Sequence, residues 1–253
     1  MALPIVIYKN FWRDGAILSA SSENPQFPAE YTQDDSRMLF TRTLDVTGAK
    51  TWVCDLGEAL EYDFAGILGH NFTSGATPIK VEGADDAAFT IAVVSDTLTY
   101  NGNNIFETLA AARTKRYIRL SVTDGANPSA YLQIGVIVIG KGGALNRFHS
   151  QGYQEGQLNA TEVEFSPSMN MFTVQERPGV EAKVLQFNGL NDVSAVVIKA
   201  LIAECGIHKG WVIGLDAAAM NTSSTWVHLT ELELPICQHN NFWTWAASIS
   251  EIV

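Results

Sequence analysis

Residues 131–140 read Tyr-Leu-Gln-Ile-Gly-Val-Ile-Val-Ile-Gly, an apolar and largely β-branched run. A run of this length, bounded by turn residues, is typical of a buried strand. Residues 51–56 alternate and residues 64–69 are continuously apolar, so each of these segments also predicts a strand. Clusters of Asn, Asp, Gly and Pro, such as residues 124–128, separate the segments. Many short strands with little helical signal predict an antiparallel β-sandwich.

The other segments of the first half give more varied signals. Residues 5–8, 79–83 and 116–122 predict strands because their residues are β-branched or alternate. We also expect a strand at residues 89–94. At residues 106–112 we expect one or two helical turns.

The second half of the chain has a different pattern. Gly-rich residues 140–143 and turn residues 151–156 predict a domain boundary, with one domain at 1–145 and the other at 146–253. Apolar residues at 193, 196, 197, 200 and 201 predict a helix at 192–205, with Asp192 as its cap and Gly206 at its end. Further strands are expected at 162–165, 171–175, 182–187, 210–215, 225–229, 231–236 and 243–252. The second domain is therefore predicted to be a sandwich with one helix.

Charge and composition exclude several classes of protein. The 253 residues include 16 Lys and Arg against 27 Asp and Glu, a net charge of −11, which argues against sequence-specific nucleic-acid binding. No segment approaches the roughly 20 apolar residues of a membrane span, and the N-terminus lacks a signal-peptide layout, so we expect no membrane insertion. Cys54, Cys205 and Cys237 form no CxxC pair, which indicates buried thiols and a reducing compartment.

The sequence contains none of three common catalytic motifs. No P-loop, GxSxG elbow or HExxH motif occurs, and the five histidines lie far apart. The acid pairs at 34–35 and 85–86 lie in predicted loops, where such pairs usually form turns, although calcium binding stays open. We therefore expect no catalytic residue, no metal site and no cofactor.

Five of the six tryptophans divide into two groups. Trp52, Trp211 and Trp226 lie in predicted strands and are expected in the core. For Trp12 and Trp243, burial in the core and burial in a subunit contact both stay open.

A series of short motifs resembles a known family. Five segments carry these motifs, in this order along the chain: residues 19–43, the Trp-Val-Cys-Asp-Leu-Gly segment at 52–57, and residues 65–72, 117–120 and 133–140. This order resembles the discoidin-like jelly roll in structural proteins of tailed bacteriophages, over roughly residues 15–140. In its predicted order of strands, one helix and further strands, the second half is similar to the ring-forming domain of tail-tube and distal-tail proteins.

The resemblance implies a non-enzymatic virion protein of the tail tip or baseplate. It would form a ring-like homo-oligomer that connects the tail to the adsorption apparatus, with other tail or baseplate proteins as partners. It would be synthesised in the host cytoplasm and located in the tail of the virion.

The alternative hypothesis is a carbohydrate-binding module that recognises a host surface glycan, since sugar sites combine an aromatic platform with fixed polar groups. The candidate ligand or interface contacts are Trp12, Tyr31, Arg37, Arg42, His70, Asn71 and Trp243.

Overall fold

The computed structural model describes residues 2–36, 38–102, 104–148, 154–158, 162–165, 171–175, 180–239 and 241–252. Strands make up 50% of the structure and helices 13%, so the protein is mainly β, as the sequence predicts.

The first half consists almost entirely of strands. Its described elements are β1 (Ile5–Asn10), α1 (Phe11–Asp14), β2 (Ala16–Ala20), a 3-10 helix (Ala29–Gln33), β3 (Thr41–Arg42), β4 (Ala49–Leu68), β5 (Ile79–Ala84), β6 (Val94–Leu98), β7 (Ile105–Thr123), β8 (Gln133–Ile134) and β9 (Val136–Ala144).

The second half adds a long helix to further strands. Its described elements are β10 (Gln154–Leu158), β11 (Glu162–Phe165), β12 (Met171–Gln175), β13 (Val180–Leu190), α2 (Asp192–Cys205), β14 (Trp211–Gly214), α3 (Met220–Ser223), β15 (Ser224–Leu229), β16 (Ile236–His239) and β17 (Phe242–Glu251). The four-residue α3 accompanies the single helix predicted for this half.

Thirteen of the described strands form one large sheet. Its main path runs β10-β13-β17-β15-β14-β1-β9-β4-β7-β5-β6, with β16 beside β17 and β2 beside β4. Strand β1 pairs antiparallel with β9 on one side and with β14 on the other. Hydrogen bonding in the sheet therefore continues from one half of the chain into the other through the first strand. The domain boundary at residue 145 stays a prediction.

Long paired strands replace several shorter predicted elements. The segments 51–56 and 64–69 belong to the single strand β4, which pairs with β7 along most of its length and contains an irregularity near Gly57, at φ 82°. The helical turns predicted at 106–112 are wrong, because Ile105 and Phe106 pair with Ile67 and Gly66 in β4. Pairing with this long partner overrides the local helical preference of the alanines.

Two predicted strands are absent from the described residues. The strand expected at 89–94 is wrong: the Asp86 carboxylate accepts hydrogen bonds from the backbone N–H groups of Thr90 and Ile91, and Phe89 and Ala92 have positive φ. These features form a tight turn, and β6 begins only at Val94. The strand expected at 231–236 is also wrong, and β16 begins after Pro235, whose missing N–H cannot contribute to a sheet.

Helix α2 has the predicted bounds but a different cap. Asn191, rather than Asp192, caps the helix, because its Oδ1 accepts a hydrogen bond from the Ser194 N–H at 2.9 Å. The buried residues include Ala195, Ile198 and Leu201, whereas Val193 and Val196 are exposed. No helix in the described part of the chain is both long enough and apolar enough to cross a membrane.

The core confirms the prediction for Trp52, Trp211 and Trp226, all of which are fully buried. Cys54 and Cys205 are buried as well, and burial raises the pKa of each thiol to about 12. The prediction of a buried thiol is wrong for Cys237, which is exposed. It lies in the short β16, which is paired with β17 alone among the described strands.

Candidate functional site

Arg42 lies among three aromatic rings at one end of the first half. Its guanidinium carbon is 4.5 Å from the ring centroids of both Phe27 and Phe40, and 4.7 Å from that of Tyr131. The Phe27 and Phe40 rings stack with centroids 5.4 Å apart. We call these four residues the Arg42 cluster; all four side chains are half-buried.

Backbone hydrogen bonds position the cluster. The Arg42 N–H donates to the Phe27 carbonyl at 3.2 Å, and the Asn24 N–H donates to the Arg42 carbonyl at 3.0 Å. Strand β3 pairs Arg42 with Gln133 of β8, and the Arg42 Nε donates to the Gln133 Oε1 at 3.1 Å. The turn that begins at Asn24 and the strand that follows Tyr131 therefore converge on one arginine.

The charge of Arg42 has no carboxylate partner among the described residues. By contrast, Arg113, Arg116 and Arg119 bind the carboxylates of Asp96, Asp55 and Glu82 at 2.7–2.8 Å. With its Nε bound to the neutral Gln133 amide, Arg42 retains its two Nη groups as donors. A guanidinium fork of this kind binds hydroxyl and carboxylate oxygens.

Asn71 supports the cluster without belonging to it. Its Nδ2 donates to the Tyr131 carbonyl at 3.0 Å, and its Oδ1 accepts from the Gln133 N–H at 2.8 Å. Its own carbonyl accepts from the Nδ2 of Asn127 at 2.8 Å. Both ends of the Asn71 amide are thus occupied in holding the segment that carries Tyr131, which makes it a positioning residue.

His70 is packed as a neutral side chain. Its ring stacks on Phe72 with centroids 4.6 Å apart, and its Nδ1 accepts the Phe72 N–H at 3.2 Å. The Nε2 is buried and forms no well-aligned hydrogen bond within the described structure. Burial lowers the pKa of His70 to about 4, and the nearby Asn101 backbone offsets this only in part. At neutral pH the imidazole is therefore uncharged.

The remaining predicted contacts do not join the Arg42 cluster. Trp12 is fully buried, and its Nε1 donates to the Thr32 Oγ1 at 2.9 Å, so the structure shows the core, which is one of the two positions left open for it. Tyr31 lies half-buried in the 3-10 helix, where its N–H donates to the Pro28 carbonyl at 3.2 Å. Arg37 lies outside the described residues.

Trp243 lies in the second half, beside helix α2. Its Nε1 donates to the Asp192 Oδ1 at 2.7 Å, and the Lys199 ammonium lies 4.2 Å from its ring centroid. The side chain is half-buried, so it is neither fully in the core nor free on the surface.

Sequence reasoning selected Arg42 but missed the residues around it. Phe27, Phe40, Tyr131 and Gln133 are separated by up to about a hundred positions, and no local spacing joins them. The available signal was the order Phe27, Phe40, Arg42 within the segment 19–43. No group of three or more His, Cys, Asp or Glu side chains suited to a metal ion occurs among the described residues.

Neither a family model nor a curated protein matches the sequence. Among solved structures, the chain is similar to chitosan-binding module 1 of a chitosanase/glucanase from Paenibacillus sp. IK-5, at 17% identity and a TM-score of 0.44 over 53% of this chain and 99% of that one. It is similar to the lectin domain of lectinolysin complexed with Lewis B antigen, at 17% identity and a TM-score of 0.40 over 53% and 98% of the chains. A Streptococcus pneumoniae fucose-binding module, SpX-3, gives 14% identity and a TM-score of 0.40 over 53% and 98%.

Proposed function

We propose that this protein binds a glycan at the Arg42 cluster and catalyses no reaction on it. The observation that carries the proposal is a half-buried guanidinium held among three aromatic rings without a carboxylate partner among the described residues. Sugars present apolar C–H faces together with hydroxyl or carboxylate oxygens. Aromatic faces and directed donors recognise these two features respectively.

The contacts that hold the Arg42 side chain in place favour a role in ligand binding over a role limited to packing against its neighbours. The Gln133 side chain and the stacked Phe27 and Phe40 rings fix the plane of the guanidinium, so little side-chain entropy is lost when a ligand accepts its hydrogen bonds. Asn71 fixes the backbone on both sides of residue 132 through its two amide bonds. The site is therefore formed before the ligand arrives.

A glycan array followed by calorimetry on the best ligand tests the proposal. We expect Arg42→Met to weaken binding by at least about tenfold, since each hydrogen bond to a charged donor contributes roughly 1.5–3 kcal/mol. Tyr131→Ala should also weaken binding, because it removes one aromatic face. The matched control is Arg116→Met, which removes an arginine paired with Asp55 and should bind as the wild type does. An array with no ligand above background, or equal affinity in Arg42→Met and wild type, would overturn the proposal.

A second candidate is the ring-forming virion protein, which the sequence resemblance implies. The observation that favours it is an exposed apolar surface near β16, where Leu234 is 68% and Ile236 is 64% exposed, with Leu232 and Phe242 nearby in sequence and also exposed. Apolar surfaces of this kind mark protein contacts, and we propose a second copy of the chain as the partner.

Light scattering coupled to gel filtration tests the second candidate. We expect an oligomer that Ile236→Glu dissociates, while Ile91→Glu, at an exposed residue of the turn between β5 and β6, leaves it intact. A wild-type protein that stays monomeric at high concentration would rule this candidate out. Glycan binding by the monomer would leave the first proposal standing.

A further inference from the structure

Two adjoining cavities open where the first half meets the second. One of about 340 Å³ lies between β7 and the segment 217–222, and the other, of about 330 Å³, is lined by Asn101, Asn104, Phe106, Asn221, Thr222 and Ser224. The two share Phe106, Asn221 and Thr222 in their walls. We call the pair the asparagine cleft.

Backbone groups fix the orientation of two of the three amides in the cleft. The Oδ1 of Asn221 accepts the Phe106 N–H at 2.7 Å, and the Oδ1 of Asn104 accepts the Gly69 N–H at 3.3 Å. Because an N–H must face an oxygen, each of these amides has its Nδ2 on the other side. Neither Nδ2 has a hydrogen-bond partner among the described residues.

Asn101, the third amide of the cleft, offers an acceptor instead of a donor. Its Nδ2 donates to the Asn221 carbonyl at 2.6 Å, so this amide ties the two halves of the chain together. Its Oδ1 accepts no hydrogen bond from any described residue. The cleft thus presents two amide donors and one amide acceptor on side chains that are already held in place.

The wall of the cleft carries almost no charge. Its only acidic lining residue within the described structure is Glu107, whose Oε2 accepts the Thr99 N–H at 2.7 Å, and no Lys or Arg lines it. A site of this kind offers a phosphate or carboxylate no counter-charge. Neutral amides and hydroxyls suit a ligand that both donates and accepts at several positions.

We propose that the asparagine cleft binds a neutral sugar ring through Asn101, Asn104 and Asn221, with the Phe106 side of the cleft as its floor. Each cavity volume lies at the lower end of the range for small-molecule sites, which suits one or two sugar rings. The site uses residues from both halves of the chain. It shares no residue with the Arg42 cluster and does not depend on glycan binding there.

Nuclear magnetic resonance of the side-chain amides tests this site directly. Uniformly 15N-labelled full-length protein is titrated separately with galactose, glucose and N-acetylglucosamine at millimolar concentrations, and the Asn104 and Asn221 amide signals are followed. We expect at least one of these sugars to shift both signals in a saturable way. No saturable shift with any of the three would overturn the proposal.

Two isosteric substitutions identify the donors. Asn104→Asp and Asn221→Asp keep the oxygen that accepts the Gly69 or Phe106 N–H and replace only the Nδ2. We expect each to weaken sugar binding by at least about tenfold, since a donor is replaced by a charged acceptor. The matched control is Asn146→Asp, which keeps the oxygen bonded to Ser194 and Asn191 at the start of helix α2 and should bind normally. Unchanged affinity in both cleft variants would overturn the assignment.

A variant outside the cleft separates this proposal from the proposed function. Arg42→Met should leave the sugar-induced shifts of the Asn104 and Asn221 signals unchanged. If Arg42→Met abolishes them, the sugar binds at the Arg42 cluster and the cleft is not an independent site. If the glycan array finds no ligand while these shifts persist, only the proposal for the Arg42 cluster is overturned.

Discussion

Two arginines of the first half, Arg13 and Arg42, are held in opposite ways. The Arg13 side chain is 10% exposed and faces the Asp35 carboxylate at 3.4 Å, while Arg42 is surrounded by aromatic rings and has no carboxylate among its described neighbours. Asp35 also accepts the Gly210 N–H at 2.8 Å, and its carbonyl accepts the Trp226 Nε1 at 2.9 Å. We call Arg13, Asp35, Gly210 and Trp226 the Asp35 clamp.

The two arginines differ in charge compensation, because Arg13 has a carboxylate partner and Arg42 has none among the described residues. In the Asp35 clamp, a residue of the first half binds two residues of the second half, and the arginine balances a carboxylate that lies mostly out of water. In the Arg42 cluster, no described carboxylate balances the guanidinium, and the proposed glycan would accept its hydrogen bonds. We therefore expect the loss of Arg13 to reduce stability and the loss of Arg42 to reduce binding.

The same substitution at both arginines tests this difference, and Arg13→Met should have the larger effect on stability. It leaves the Asp35 carboxylate in a site that is only 21% exposed, without its countercharge. Breaking a buried pair by removing one partner costs about 3 kcal/mol at the lower end of the usual range. Urea unfolding at neutral pH measures the loss. A change below about 1 kcal/mol would mean that the clamp contributes little.

The pH dependence of stability sharpens the assignment of the clamp. Burial raises the pKa of Asp35 by more than the Gly210 N–H and the Arg13 guanidinium lower it. The folded state therefore holds this proton to a higher pH than the unfolded state, whose value is near 3.8. The protonated Asp35 therefore contributes its full stabilisation below the unfolded pKa, and this contribution is lost as the pH rises through the folded pKa. Its size is about 1.4 kcal/mol for each unit by which the folded pKa exceeds the unfolded pKa.

Asp35→Asn provides the reference for this measurement, because asparagine keeps an oxygen for the Gly210 N–H and cannot titrate. The stability of the wild type relative to Asp35→Asn should be constant below about pH 4 and should fall as the pH rises through the raised folded pKa of Asp35. Urea unfolding across these pH values measures the difference. A difference that is constant with pH would contradict the raised pKa.

Arg42→Met should have the smallest effect on stability, at about 1 kcal/mol. The loss reflects three cation–π contacts at a half-exposed position and one hydrogen bond to Gln133, partly replaced by contacts of the Met sulfur with the rings. Thermal unfolding measures this loss beside that of Arg13→Met. Equal losses of stability in Arg13→Met and Arg42→Met would contradict the expected difference between an arginine that has a carboxylate partner and one that has none.

The local sequence pattern was sufficient to predict an element whose bounds depend on neighbouring residues in the chain. Helix α2 has the predicted bounds of 192–205 because apolar spacing and the left-handed Gly206 are local features. The same reasoning failed at 106–112, where pairing with the distant β4 decides the conformation. The apolar spacing alone did not show which residues of α2 are buried, since Leu201 lies in the core whereas Val193 and Val196 are exposed.

The candidate site was predictable only in part for the same reason. Arg42, His70 and Asn71 were selected from the sequence, but their roles differ: Arg42 presents donors, Asn71 positions a strand, and His70 is buried as a neutral ring. These roles depend on which groups already have partners. Partners such as Gln133 and Tyr131 lie about 90 positions from Arg42 in the chain.

The sequence by itself determined that the chain is mainly β, that one helix interrupts the strands of the second half, and that three tryptophans are buried. These properties follow from periodicity and hydrophobicity, which act over a few neighbouring residues. Only the tertiary structure decided that β1 joins the two halves in one sheet, that Trp12 belongs to the core, and that Arg42 lacks a carboxylate among the described residues. Strand pairing and charge compensation join residues far apart in the chain, so their outcome depends on the folded arrangement as a whole.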